Sequence, residues 1–275
     1  MKRTLTIVAL MVIYSSVLMS QSFDEKWKAA IAKKNSQQYS EAITAFTNLL
    51  NDCGASGVSD VECKTQIYTQ IARCYFETKD YANMGIIAQK AVDLGALSVF
   101  PFVYLAYSKW LSQSDFDGAV AVITTGASKF PNNADLNACA SYIYRDRGNM
   151  EFDKENYSSA MEFFNKSLSF EDKGTTYACI GDVHYVRENY SSAVSNYQKA
   201  IDLGYVNNGD TYADLGNSYY ALQSYTNAAN SYVSAINSGN NDRDTYVFLA
   251  FCYYTLKQYS DCKWAINRAY NVDSS

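Results

Sequence analysis

The stretch Tyr190-Ser191-Ser192-Ala193-Val194-Ser195-Asn196-Tyr197-Gln198-Lys199-Ala200-Ile201 decides the fold. Tyr190, Ala193, Val194, Tyr197, Ala200 and Ile201 fall three and four apart, so they form one apolar stripe of a helix. Gly204 stops that helix. The spacing then returns after 35 residues as Tyr225, Ala228, Tyr232 and Ala235, and after a further 34 as Tyr259, Cys262, Ile266 and Ala269. A period of this length marks stacked helical hairpins, and such stacks are normally binding surfaces.

Ahead of each stripe lies a second one. Tyr177, Ile180, Gly181 and His184 share a helix face, followed by Tyr212, Leu215, Gly216 and Tyr219, then Tyr246, Leu249, Ala250 and Tyr253. Small residues at Gly181, Ala193 and Ala200 are where two helices approach closely. This aromatic–Leu–Gly–aromatic helix, followed by a Tyr…Ala…aromatic…Ala helix, resembles the tetratricopeptide repeat. Three consecutive units carry it in phase. Looser copies precede them: Tyr68, Ile71, Ala72, Tyr75, Tyr81 and Ala88; Phe102, Leu105, Ala106, Phe116 and Ile123; Trp27, Ala30, Tyr39, Ala42 and Phe46.

The resemblance implies an all-α, right-handed superhelical solenoid of antiparallel helix pairs over residues 23–275. About seven repeats are expected, at 23–64, 65–98, 99–132, 133–173, 174–208, 209–242 and 243–275. The fourth departs from the pattern. Ala140 and Tyr157 are seventeen residues apart where the neighbouring repeats have nine, so Arg145–Phe152 reads as a polar insert, a protruding helix end or a longer loop. Asn156 and Asn189 are expected to cap second helices through their side chains.

The N-terminus reads differently. Lys2 and Arg3 precede an uncharged run, Leu5 to Met19, too short for the roughly 20 residues of a membrane span. Residues 1–20 are therefore expected to be a secretory signal peptide, an uncleaved anchor being the alternative. Export, with a periplasmic or envelope location, follows as an expectation. Without the leader, 21 basic residues face 28 acidic ones, a balance that disfavours nucleic acid and anionic lipid. In an oxidising compartment Cys53 and Cys63, bracketing a Gly/Ser/Asp-rich loop, can pair. The other reading of the seven cysteines is that they pack as small hydrophobes.

Catalysis is not expected. The one histidine, His184, stands where other repeats have Tyr219 and Tyr253, which reads as packing. No CxxC pair, phosphate-cradling loop or nucleophile–base arrangement is present in the sequence, so neither cofactor nor metal is expected. Glu151 with Asp153 reads as a solvated helix end.

The resemblance places a partner-binding groove along the first helices, where it implies that peptides lie. Carried over residue by residue, it assigns Phe76, Trp110, Tyr144, Tyr185, Tyr220 and Tyr254 to an aromatic ladder. Arg73, Tyr107, Asn217 and Phe251 fall on the same face. Trp110 is the leading candidate, and the alternative is that the rings only pack between repeats. The expected partner is a protein or peptide. A glycan or small ligand stacked on Trp110, Tyr107 and Tyr144 is the second reading, and self-association in the envelope the third.

Overall fold

The computed structural model describes residues 22–55 and 57–272, so the leader lies outside it. Among the described residues every regular element is a helix, and none is long and apolar enough to cross a membrane. In chain order they are α1 (22–35), α2 (Tyr39–Leu49), α3 (Asp60–Glu77), α4 (Tyr81–Asp93), α5 (Phe100–Gln113), α6 (Phe116–Lys129) and α7 (Ala134–Asp153). There follow α8 (Tyr157–Leu168), α9 (Gly174–Val186), α10 (Tyr190–Asp202), α11 (Asp210–Ala221), α12 (Tyr225–Asn237), α13 (Arg243–Thr255) and α14 (Tyr259–Val272). Two compact units result, one up to Ile143 and one from Tyr144.

Within each unit, helices adjacent in sequence pack on one another: α2 on α3, α3 on α4, α4 on α5 and α5 on α6 in the first. In the second, α8 packs on α9 and each following helix on the next, through to α14. This is the order that hairpins of short turns dictate. The cores follow the repeat stripes. Ala193, Tyr197 and Leu215 bury one, and Ala228, Ala229, Tyr232, Leu249, Ala250 and Cys252 bury the next.

One turn geometry closes most of the hairpins. Glu188 N–H donates to Tyr185 C=O and Asn189 N–H to His184 C=O, and the same pair of bonds recurs at Gln223 and Ser224 and at Lys257 and Gln258. These bonds satisfy carbonyls that the helix end would otherwise leave open. They require a left-handed residue two positions before the second helix, and none of these is glycine: Lys79, Ser114, Glu155, Glu188, Gln223 and Lys257 all have φ between 52° and 61°.

Two local expectations change. Asn156 and Asn189 make no side-chain cap; Asn156 donates instead to the Glu151 carboxylate at 3.0 Å. Side-chain caps come from Asp80 to Asn83 N–H and from Asp115 to Gly118 N–H.

The fourth repeat is the larger correction. A β-carbon built at Gly181 would stand 2.6 Å from the Tyr197 ring, and one at Gly216 2.7 Å from the Tyr232 ring. Each glycine precedes its ring by sixteen residues. In the fourth repeat the same contact, at 2.5 Å, is made by Gly148 under Phe164, again sixteen apart. Gly148, not Ala140, therefore occupies the close-approach site. The extra two turns lie at the start of α7, and Arg145–Phe152 is the regular part of the helix. Glu151 is correspondingly buried and ion-paired to Arg147 and Lys154, both at 3.1 Å. Hydrogen bonds from Asn156 and Lys154 hold its carboxyl below the usual carboxylate range.

Cys53 and Cys63 are disulfide-bonded, their Cα atoms 5.6 Å apart, across the loop between α2 and α3. Cys74, Cys139, Cys252 and Cys262 are buried free thiols, and Cys179 is partly buried. Desolvation pushes the Cys139 thiol far up, which suits a packing role.

Candidate functional site: the first-helix face of α9, α11 and α13

The aromatic ladder resolves into a set of clasps. Tyr185 meets Tyr190 edge-on at 5.4 Å, Tyr220 meets Tyr225 at 5.7 Å and Tyr254 meets Tyr259 at 6.0 Å. Phe76 meets Tyr81 at 6.5 Å and Trp110 meets Phe116 at 5.9 Å. Each ring near the end of a first helix thus packs against the aromatic that opens the second, an arrangement favoured by ring quadrupoles.

Trp110 is 5% exposed, so its ring is committed to the hairpin and offers no face to a ligand. Tyr144 belongs elsewhere as well. The corrected register gives its place to Phe152, which clasps Tyr157 at 5.5 Å, while Tyr144 stacks on Phe170 at 5.5 Å. Phe76 and Tyr107 pack on each other at 5.8 Å, and Tyr107 packs on Tyr142. Arg73 is exposed beside Glu77, 3.9 Å away. Trp110 therefore has no ring face open for stacking, and Tyr107 and Tyr144 are each packed on another aromatic ring, so the sugar-stacking reading loses its support.

What remains lies in the second unit. Tyr197 donates its hydroxyl to Asp182 at 2.7 Å, and one repeat later Tyr232 donates to Asn217 at 2.8 Å. Beside Asn217 a cavity of about 270 Å³ is lined by Asp210, Asp214, Asn217, Asp242, Thr245 and Phe248, among others. Asp210 accepts from Asn240 at 2.9 Å, and Asp242 caps α13 by accepting from the Asp244 N–H. Asp214 is different: no side-chain hydrogen bond among the described residues reaches its carboxylate. Burial, reinforced by the neighbouring charges of Asp182 and Asp210, pushes its pKa up to about 7. Burial raises Asp182 too, opposed by its bond from Tyr197.

Tyr220 borders this region and packs on Phe248 at 5.3 Å and on Phe251 at 6.2 Å. Phe251 and Tyr254 also line a different recess, between α13 and α14. His184 is half-buried, its imidazole held below the usual range by burial and by Arg187. Among the described residues no three potential metal ligands cluster.

Asp214 was not legible as a site residue. It lies three positions before Asn217, on the flank of the stripe rather than in it, and its character comes from burial and from Asp182 of the preceding repeat and Asp210 of its own helix.

Residues 65–94, essentially α3 and α4, match the family model of the tetratricopeptide repeat. No curated protein matches the chain. Among solved structures, the C-terminal part of a TPR repeat-containing protein from Cytophaga hutchinsonii is similar at a TM-score of 0.62 and 17% identity, over 90% of this chain and 95% of that one. A tetratricopeptide repeat protein from Parabacteroides merdae is similar at 0.54 and 12%, over 92% and 93%. YrrB, described as a TPR protein with an unusual peptide-binding site, is similar at 0.50 and 15%, over 68% and 93%. The chain is thus similar to the tetratricopeptide repeat in sequence over residues 65–94 and to tetratricopeptide repeat proteins in fold over nearly its whole length.

Proposed function

We propose that the chain is a non-catalytic scaffold of the cell envelope that holds an extended segment of a partner protein across the first helices α9, α11 and α13. The observation that carries this reading is the cavity beside Asn217, where the unbonded Asp214 carboxylate and the Tyr220–Phe248 rings converge. An acidic floor next to an aromatic wall favours a segment with a lysine or arginine side chain, whose charge replaces lost solvation while its stem packs on the rings. The unusual peptide-binding site of YrrB lends the fold a precedent for such use. The basic-then-apolar leader and the Cys53–Cys63 disulfide support an exported location.

The test is a crosslinked pull-down from native envelope extract with the wild-type chain, an Asp214→Lys, Tyr220→Ala double variant and a folded Arg73→Ala control. The reading predicts a protein recovered by wild type and by Arg73→Ala, and lost with the double variant. Equal recovery by all three overturns it.

A further inference from the structure

The cavity beside Asn217 holds open hydrogen-bond acceptors from two elements. From α11 comes Asp214, with neither carboxylate oxygen bonded to a side chain among the described residues. From the start of α13 comes Asp242, which uses one oxygen to accept from the Asp244 N–H at 3.3 Å; no bond among the described residues reaches the other. Thr245 lines the same cavity at 4% exposure, and its hydroxyl also has no partner among the described residues. A hydroxyl buried so far and left unbonded points to a polar group that enters from outside.

The other acids are engaged. Asp210 accepts from Asn240 at 2.9 Å and from Asn207 at 3.2 Å. Asp244 stands 4.0 Å from Arg243, which itself lines a different recess. Phe248 supplies an apolar wall. Tyr232 stacks on it at 6.2 Å and Tyr220 meets it edge-on at 5.3 Å, yet it stays 38% exposed, so ring surface remains open.

Two side chains carry the charge such a site asks for, and they differ in shape. An ammonium concentrates its charge at one point and gives up its proton readily when buried. A guanidinium stays charged, spreads its donors over a plane and stacks on rings. Acceptors that converge from two elements beside a ring match the guanidinium. We propose that the residue seated in this cavity is an arginine, its forked donors shared between Asp214 and Asp242 and its plane against Phe248. The inference rests on the basic-segment reading above and narrows it. The Asn217 oxygen accepts from Tyr232 at 2.8 Å, which leaves the amide nitrogen to donate to a backbone carbonyl of the same segment.

The full chain is probed with a random-sequence peptide array at pH 8. In the strongest binders each arginine is then replaced by lysine and by citrulline, its uncharged isostere. The expected result is arginine-rich binders in which replacing one arginine, by either residue, weakens binding roughly tenfold. Asp242→Asn keeps a side-chain oxygen for the α13 cap, and it should bind the arginine and lysine forms within about twofold of each other. The peptide replacements decide even if that variant unfolds. Lysine forms as strong as arginine forms overturn the arginine assignment and leave the basic-segment reading standing. An unchanged arginine preference in folded Asp242→Asn overturns the assignment too. Citrulline forms as strong as arginine forms, binders without basic residues, or no binders at all overturn both.

Discussion

The hydroxyl of Tyr197 on α10 donates to the carboxylate of Asp182 on α9 at 2.7 Å, tying the two helices of one hairpin together fifteen residues apart. The same tie recurs between Tyr232 and Asn217, with an amide in place of the carboxylate. A half-buried carboxylate left without its donor costs more than a neutral amide does. Tyr197→Phe should therefore lower stability by about 2 kcal/mol and Tyr232→Phe by about 1 kcal/mol, measured by urea unfolding. Equal, negligible losses would show that the hydroxyls are solvated rather than structural.

The register of the fourth repeat rests on Gly148. In an exposed helix, Gly→Ala stabilises by about 1 kcal/mol. Here the added methyl meets the Phe164 ring, so Gly148→Ala should destabilise by about 1–3 kcal/mol. The sign of the change in melting temperature decides between the two.

Left-handed turn residues offer the reverse test. Gln223 holds φ at 57°, a conformation that disfavours any side chain. Gln223→Gly should raise stability by about 0.5 kcal/mol, the relief slightly exceeding the added freedom of the unfolded chain. Thermal melts of this and of Glu188→Gly should agree in sign.

Much of this architecture was legible in the sequence, because close approach leaves a periodic mark. Gly181 and Gly216 lie under the rings of Tyr197 and Tyr232, and the residues that bury each hairpin are those of the repeating stripes. The fourth repeat misled because Ala140 is also small and also buried, although the regular nine-residue spacing to Tyr157 belongs to Gly148. The ladder misled for a different reason. A ring that recurs at one position looks like a binding surface, yet its clasp partner five residues on (six at Trp110) recurs as faithfully. That second spacing, Tyr185 with Tyr190 or Tyr220 with Tyr225, was the available signal. Asp214 left no such mark, since its environment is assembled from α11, α13 and the turn between Asn240 and Asp242.

Trp110 separates packing from binding. Removing a ring so deeply buried should cost about 3–5 kcal/mol in Trp110→Ala, read by urea unfolding. Partner recovery per folded molecule should not change.

Asp214 predicts a pH dependence. Its folded pKa of about 7 lies above that of an unfolded aspartate, so the native state holds the proton more tightly. Stability from this group is full below about pH 4 and is lost as pH rises towards 7. Asp214→Asn should match wild type near pH 4 and exceed it by about 1–2 kcal/mol at pH 8, allowing for partial exposure. Unfolding curves across that range check the slope.

The central claim, an acidic and aromatic face that takes a basic segment, is tested most directly by binding of the chain to a random-sequence peptide array at pH 8 and at pH 5.5. Deprotonated Asp214 attracts a cation and protonated Asp214 does not. The account predicts bound peptides rich in lysine and arginine, a signal that fades at pH 5.5, and loss of that pH response in Asp214→Asn. Acidic peptides among the strongest binders, or a signal equal at both pH values and untouched by Asp214→Asn with Tyr220→Ala, would contradict it.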